Sequence, residues 1–431
     1  MAYKYPTIFW DTACLIANSG GEGGSTDYTK LAQAIGAVRK EGIKVGLPNV
    51  NTSQFGFEPD LENDQILFGL KAILGVGDEV VEKIIQNRPY VSIKDFINKV
   101  NPTRSVMVSL IKGGAFDTMM DRKIAMGWYL WETCDKKKRI TLQNMNGLIK
   151  YGLIPKDKEF IMPKRVYEFN RYLKAMCKGS DSSKYILDDR AIAFLTELGV
   201  EDLIDEGQFL NAATWDRKVY QTYMEVFRNW MKTEQDKILK SLNQLIFKED
   251  WEKYASGSLS SWEMDVLCFY YHEHELININ LDLYGISNFE DMPEEPIPDK
   301  IFHRGGAAIP IYNLEKIIGT VVARDKAKAI VYLLTTGGVV PVKFRKEYFS
   351  LFDKQISERN PDGTKRVKEK SWFTRGNKIM VMGIRNNEEF VVKKYASTPG
   401  HQLYKISEYF NDGTLTLTSD RYQGGILEDG E

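Results

Sequence analysis

The sequence predicts a multidomain chain of the α-plus-β class, mostly helical at first and ending in a small β-barrel. Three observations predict it. Apolar residues recur at helical spacing through the N-terminal and middle parts of the chain. Two short apolar faces flank Gly75-Val76-Gly77, the pattern of a helix-hairpin-helix. From Lys316 to Tyr395 the period changes to strand-strand-strand-helix-strand-strand, the element order of an OB fold.

Size and charge bound the possibilities. A chain of 431 residues has room for about two to four domains. With 43% hydrophobic and 27% charged residues it reads as a folded protein. The formal net charge is −1, so a nucleic-acid role demands local basic patches or a partner that supplies the positive groove. No run of about 18 apolar residues predicts a membrane span, and the start lacks the charged-then-apolar pattern of an export signal. Cys14, Cys134, Cys177 and Cys268 are far apart with no zinc spacing, which points to a reducing compartment. A cytoplasmic protein is expected.

Taken in order, the first region expected is residues 1–64. Tyr3–Ser19 reads as a helix entered through Pro6, with an apolar stripe of Ile8, Phe9, Ala13 and Ile16. Gly20–Ser25 lacks the Lys-Ser/Thr of a phosphate loop and reads as a turn. Tyr28–Glu41 reads as a helix with Leu31, Ala34, Ile35 and Val38 inward; Gly42–Asn51 reads as extended and Ser53–Asp64 as loop. Residues 65–120 hold the hairpins. Leu70, Ile73 and Leu74 make one helical face, and Val80, Val81, Ile84 and Ile85 another. Asp78 and Glu79 sit in the first turn of the second helix, where the dipole favours acids. Backbone N–H groups at that helix start suit a phosphate oxygen, a contact that carries no base information. The candidate DNA-backbone set is Lys71, Gly75, Val76, Gly77, Lys83 and Arg88. A purely structural hairpin turned by Gly-x-Gly is the alternative.

The ordered set Tyr5-Pro6-x-x-Phe9-Trp10, Gly42-Ile43, Leu47-Pro48-Asn49-Val50-Asn51-x-Ser53, Phe68-Gly69-Leu70-x-Ala72-Ile73-x-Gly75-Val76-Gly77 and Gly114-Ala115-Phe116-Asp117 closely resembles the C-terminal half of the bacterial replicative DNA polymerase III α subunit. The resemblance implies that residues 1–64 end a fingers domain and that residues 65–120 are a tandem helix-hairpin-helix domain. Asp95-Phe96-Ile97, Val106–Ile111 and Gly113-Gly114 look like its second, degenerate copy, for which core packing is the favoured role.

Residues 121–259 read as a helical insertion, rich in aromatics such as Trp128, Trp131, Tyr220 and Trp230. Lys136–Arg139, Lys164-Arg165 and Arg171 are basic patches, either solvated helix ends or DNA contacts. Asp188-Asp189 and Asp202–Glu206 lack the rigid frame that two-metal chemistry needs, so no catalytic residue and no metal site is assigned. Gln244-Leu245-Ile246-Phe247 resembles the short peptides that bacterial polymerases insert into the sliding clamp, one residue short. It also lies on an amphipathic helix face with Ile238, Leu239 and Leu242.

Residues 260–300 are expected to connect. Glu263-x-x-x-Leu267-x-Phe269-Tyr270 resembles a family segment, with Cys268 where the family has glycine. His272 and His274 read as a surface pair, and Met292–Pro298 as a linker. The barrel is expected over residues 301–400, with strands at Ile317–Arg324, Ala329–Thr335, Val339–Phe344, Ile379–Ile384 and Phe390–Tyr395. A helix is expected at Lys346–Lys354 and a charged loop at Asn360–Thr374. OB folds bind single strands through aromatic and basic residues; the candidates are Arg324, Lys326, Lys328, Tyr332, Lys343 and Arg345, with protein docking the alternative. Residues 401–431 read as a strand pair and then an acidic tail.

The resemblance implies a replication role without a palm. The chain alone is expected not to polymerise. A separate N-terminal palm-containing chain is the expected partner, together with duplex and single-stranded DNA and possible tethering to the clamp. No cofactor is expected in this chain, and Mg²⁺ is expected in the partner palm. The helix Tyr3–Ala17 is the expected docking surface. A stand-alone DNA-binding accessory factor and a structural scaffold are the rival readings, and a phage genome fits so divergent a copy.

Overall fold

A computed structural model describes residues 7–20, 24–179, 183–304, 307–359 and 365–419. The chain divides into two units, Met1–Met126 with Gly257–Glu431, and Gly127–Ser256. Tyr5 and Pro6 of the first motif lie outside the described residues, as do parts of the glycine-rich and charged loops and the acidic tail.

In the first unit, α1 (Thr7–Asn18) buries Ile8, Asp11, Thr12 and Leu15. The expected stripe is therefore rotated: Phe9, Trp10, Ala13 and Ile16 face outward. Thr12 can lie inside because its hydroxyl donates to the Ile8 carbonyl at 2.7 Å. Helix α2 (Tyr28–Lys40) starts on Asp27, whose carboxylate accepts from the N–H of Thr29 and Lys30. Its buried face is Leu31, Ala32, Ile35 and Val38, with Ala32 in place of Ala34.

Only β1 (Lys44–Val45) of the expected extended run is a strand; β2 (Glu58–Asp60) lies in the expected loop, and both pair with β3 (Gln65–Leu67). The first arm of the hairpin is a single 3₁₀ turn, Leu70–Ala72, where an α-helix was expected. The cause is long-range. The N–H groups of Leu70, Lys71 and Leu74 donate to Gln54, Phe55 and Val266, so they are engaged outside any helix. Helix α3 (Asp78–Gln86) buries Val81 and Ile84. Helix α4 (Ile93–Val100) is capped by Ser92 and ends on left-handed Asn101. Helix α5 (Arg104–Lys112) is capped by Thr103, and every residue from Val106 to Ile111 is buried.

Helix α6 (Arg122–Thr133) runs into the second unit. There follow α7 (Met145–Lys150), α8 (Lys158–Met176), α9 (Asp189–Glu197), α10 (Ala212–Trp215), α11 (Gln221–Thr233) and α12 (Gln235–Tyr254). A small sheet in the order β4 (Lys184–Ile186), β6 (Phe209–Asn211), β5 (Ile204–Asp205) is the part that helical periodicity did not predict. Trp215 is fully buried among Leu173, Leu210 and Phe227, and its indole N–H donates to Asn170 at 3.1 Å.

The chain re-enters the first unit at α13 (Leu259–Leu267) and α14 (Leu281–Tyr284). After the proline-rich stretch, β7 (Pro298–Arg304) and β8 (Ala307–Tyr312) form an antiparallel hairpin. The barrel strands are β9 (Glu315–Asp325), β10 (Ile330–Thr335) and β11 (Gly338–Lys343), followed by α15 (Lys346–Phe352). A hairpin of β12 (Ile356–Arg359) and β13 (Lys365–Glu369) flanks the charged loop. β14 (Lys378–Asn386) and β15 (Glu389–Val392) complete the five. β9, β10 and β11 form a meander, β15 pairs parallel with β11, and β14 pairs with both β15 and β9, which closes the ring. The structure is thus the helical part followed by a closed, OB-like barrel that the sequence predicts. β16 (Leu403–Tyr409) and β17 (Leu415–Thr418) extend the sheet from β14. Trp372 and Phe373, expected in the loop, fill the barrel core beside Phe344, Phe349 and Phe352.

Candidate nucleic-acid interface

At the first hairpin, Gly75 has φ +86° and is exposed. A side chain there would be strained, and its Cβ would lie 3.2 Å from Ser109 Oγ. Gly77 is different. It has extended φ −87° and caps α3 without a side chain, and a Cβ added to it would meet nothing within 4 Å. The glycine is therefore not needed by the fold, and its bareness leaves the backbone approachable. The Gly77 carbonyl accepts from Val80 and Val81. Among the described residues, no hydrogen bond engages the N–H of Gly75, Gly77 or Glu79. This is an anion-ready helix start.

The rest of the expected set divides. Val76 is buried, and its N–H donates to Ile73, so it anchors the turn. Lys71 is mostly buried and ion-paired with Asp78, neutralising the acid nearest the turn. Lys83 is exposed on α3 and has no ion pair among the described residues. Arg88 is engaged inside the fold: its Nε donates to the Val50 carbonyl at 2.7 Å and a second guanidinium nitrogen to that of Ser53. Asn51 joins it, giving its amide N–H to the Tyr90 carbonyl at 2.9 Å and accepting the Tyr90 N–H at 2.8 Å. The Val50-Asn51-x-Ser53 motif thus fastens the far end of the hairpin, and Arg88 is a brace in place of the expected phosphate ligand.

Two further motifs meet on a residue that sequence reasoning missed. Arg122, buried, donates to Asp117 at 2.6 Å, to Glu263 at 2.9 Å and to the Lys112 carbonyl at 3.2 Å. Burial pulls its pKa down, and the carboxylates more than reverse this and raise it. Glu263, fully buried, also accepts from the N–H of Tyr271 and His272 at 3.0 Å and meets His272 Nδ1 at 2.6 Å. Gly114 has φ +80°, and a Cβ on it would lie 2.4 Å from the guanidinium. The Gly114–Asp117 and Glu263 motifs are therefore one scaffold under α5. His274 does not form a surface pair with His272. It is largely buried, with Nε2 at 3.0 Å from the Leu334 carbonyl and Nδ1 accepting the Leu276 N–H, and burial lowers its pKa.

The barrel candidates do not share one face. Tyr332 pairs with Pro341 and Lys343 with Ile330, so Tyr332 and Lys343 are diagonal neighbours on the outer surface of β10 and β11. Arg324 pairs with Val331, which is buried inside, and lies on the other side. Its guanidinium binds Asp353 at 2.8 Å and the Phe373 carbonyl at 2.8 Å. Lys326 also binds Asp353, at 3.2 Å, and Lys328 lies 3.9 Å from Asp325. Arg345 is exposed just beyond β11. Leu334 and Val339, on the outer face, are covered by Tyr28 and Ala32 of α2. The outer strip is thus Tyr332, Lys343 and Arg345, and Arg324 and Lys326 hold α15.

Gln244–Phe247 lies within unbroken α12. Phe247 packs edge-on against Trp131 at 5.6 Å and against Trp251 at 6.1 Å, and Ile246 packs on the core of its unit. Ile246 and Phe247 of the clamp-like peptide are engaged internally, so the amphipathic-helix alternative is the arrangement observed. Among the basic patches, Arg165 pairs with Glu197 and Lys164 lies 3.9 Å from Glu168. Among the described residues no helix is long and apolar enough to cross a membrane.

Comparison with known proteins agrees with this geometry. Residues 42–125 match a family described as a helix-hairpin-helix motif. The chain is 38% identical over 441 aligned residues to a probable DNA polymerase, YorL, of Bacillus subtilis strain 168, an alignment covering 97% of this chain and 34% of that protein. The figures are the same for a DNA-directed DNA polymerase of Bacillus phage SPbeta. It is 27% identical over 203 residues to the DNA polymerase III subunit alpha of Campylobacter jejuni, covering 42% of this chain and 17% of that one. The chain thus spans about a third of the length of the first two relatives. It is related by sequence to the DNA polymerase III α subunits, matching their C-terminal part, and carries a helix-hairpin-helix region at residues 42–125.

Proposed function

We propose that this chain is the DNA-gripping part of a replicative polymerase of the polymerase III α kind, at work in the bacterial cytoplasm. Gly75, Gly77 and Glu79 offer their open N–H groups to a phosphate of duplex DNA, with Lys83 adding charge from the same helix. The outer strip of Tyr332, Lys343 and Arg345 guides a single strand. Nucleotidyl transfer, with the Mg²⁺ ions it uses, belongs to a palm outside these residues. The observation that carries this reading is the pairing of a polymerase relationship along 97% of the chain with an open, uncapped hairpin turn.

Primer extension on a primed template tests it, with this chain alone, a candidate palm-bearing chain alone, and both together. Extension only in the mixture is the expected result. Extension by this chain alone, or no gain from the mixture, overturns this reading; duplex binding that survives with no gain moves it to a stand-alone DNA-binding factor.

A further inference from the structure

The second unit holds a cleft of about 550 Å³ between the segment following α6 and one face of α11 and the start of α12. That is room for one nucleotide, within the usual range for small-ligand sites. Arg228, Met231 and Lys232 line it at spacings of three and four residues, which puts them on one face of α11, and Gln235 joins them from the start of α12. Arg139, from the end of the basic run, and Gln143 line the opposite wall. The floor is apolar, from buried Ile140 and Met231. The lining residues include three cations and no acid. Glu225 pairs with the Arg228 guanidinium at 2.8 Å and Gln221 binds it as well, so Arg139 and Lys232 are the lining cations without an ion pair among the described residues. Within the same run Lys136 lies 3.7 Å from Glu132 and Lys137 pairs with Asp135, and Arg139 is the member that lines the cleft.

Cations at the rim, amides that can both donate and accept, and an apolar floor complement what a nucleotide presents: phosphate, base edge and base face. A duplex is too wide for the space. We propose that this cleft binds a nucleotide phosphate with its sugar and base, carried either on a single DNA strand or as a free nucleotide. It is a second nucleic-acid site, built wholly within residues 139–235 and independent of the hairpin.

The test uses the full chain and two probes, a fluorescein-labelled 12-mer of oligothymidylate and dTTP. Amide hydrogen exchange is expected to slow at residues 139–143 and 228–235 with the 12-mer; slowing with dTTP as well identifies a site for free nucleotides too. The Arg139→Ala, Lys232→Ala double variant is expected to bind the 12-mer about tenfold more weakly at 50 mM salt. Its log–log salt slope should be shallower by about 1.4, from 0.7 for each lost strand contact. The Arg139→Lys, Lys232→Arg variant keeps the charges and should keep the affinity, which separates charge loss from misfolding. Gly77→Ser, which bears on duplex grip, and Lys343→Ala, which bears on the barrel strip, should each leave 12-mer protection at the cleft unchanged, so the two readings fail separately. Unchanged exchange at the cleft with both probes, or undiminished 12-mer protection at the cleft in the double alanine variant, overturns the proposal.

Discussion

The two helical hairpins within residues 65–120 have opposite turns. The first, Gly75-Val76-Gly77, ends on a helix whose cap has no side chain. The second, Asn101-Pro102-Thr103, ends on Thr103, whose hydroxyl accepts the Val106 N–H, and leads into a helix buried from Val106 to Ile111. One turn leaves donors open, and the other satisfies one from within. The same supersecondary unit has been divided into a face and a foundation, and backbone donor satisfaction tells which is which.

The largest expected effect falls on the foundation. Arg122 joins the C-terminal end of α5 to Asp117 and Glu263, and both it and Glu263 are nearly inaccessible. Arg122→Met strands a buried carboxylate and should cost about 3 kcal/mol or more, read as a drop in the melting temperature of the full chain. A variant that melts like the parent would mean that the second copy does not rest on this hub.

The next effects separate the two turns. Gly75→Ala forces an L-residue to φ +86° and should cost about 1–2 kcal/mol of stability. Thr103→Ala removes a side-chain cap and should cost about 1 kcal/mol with duplex affinity unchanged. Gly77→Ser should do the reverse. Serine caps at least as well as glycine and its Cβ has open space, so stability holds, while duplex affinity falls about tenfold, or about 1.4 kcal/mol, because the added atoms block close approach. Calorimetry paired with duplex binding reads both. Equal losses of affinity from Thr103→Ala and Gly77→Ser would erase the distinction between face and foundation.

Much of this fold was legible because its signals are local. The barrel strands follow apolar and β-branched runs, and Val331, Tyr332 and Leu333 already alternate in, out, in along β10. What stayed hidden depends on partners far along the chain. In sequence Arg88 looks like Lys83, yet its acceptors are backbone carbonyls 38 and 35 residues away. His274 looks exposed beside His272, but its carbonyl partner is 60 residues on. The 3₁₀ arm failed as a helix because its donors were taken by other segments. Splitting Arg324 from Tyr332 needed the register of β9 against β10, which shifts at Tyr332/Leu333 and cannot be counted from one strand alone. The open turn at Gly77 was legible, since a Gly followed by two acids and an apolar helix face is a local pattern.

The smallest expected effect compares one lysine from each copy. Lys83 on α3 is exposed and has no ion pair among the described residues. Lys99 on α4 is equally exposed to view but committed, bonded to Asp95 at 3.0 Å and to the Pro89 carbonyl at 2.8 Å. A lysine that contacts a duplex phosphate releases a counterion, and one already paired with a carboxylate does so far less. Lys83→Ala should therefore make the log–log salt dependence of duplex binding shallower by about 0.9, while Lys99→Ala leaves the slope as it was. A titration series from 50 to 200 mM salt resolves a difference of that size. The reverse pattern would put the DNA on the second hairpin and make the open first turn a structural accident.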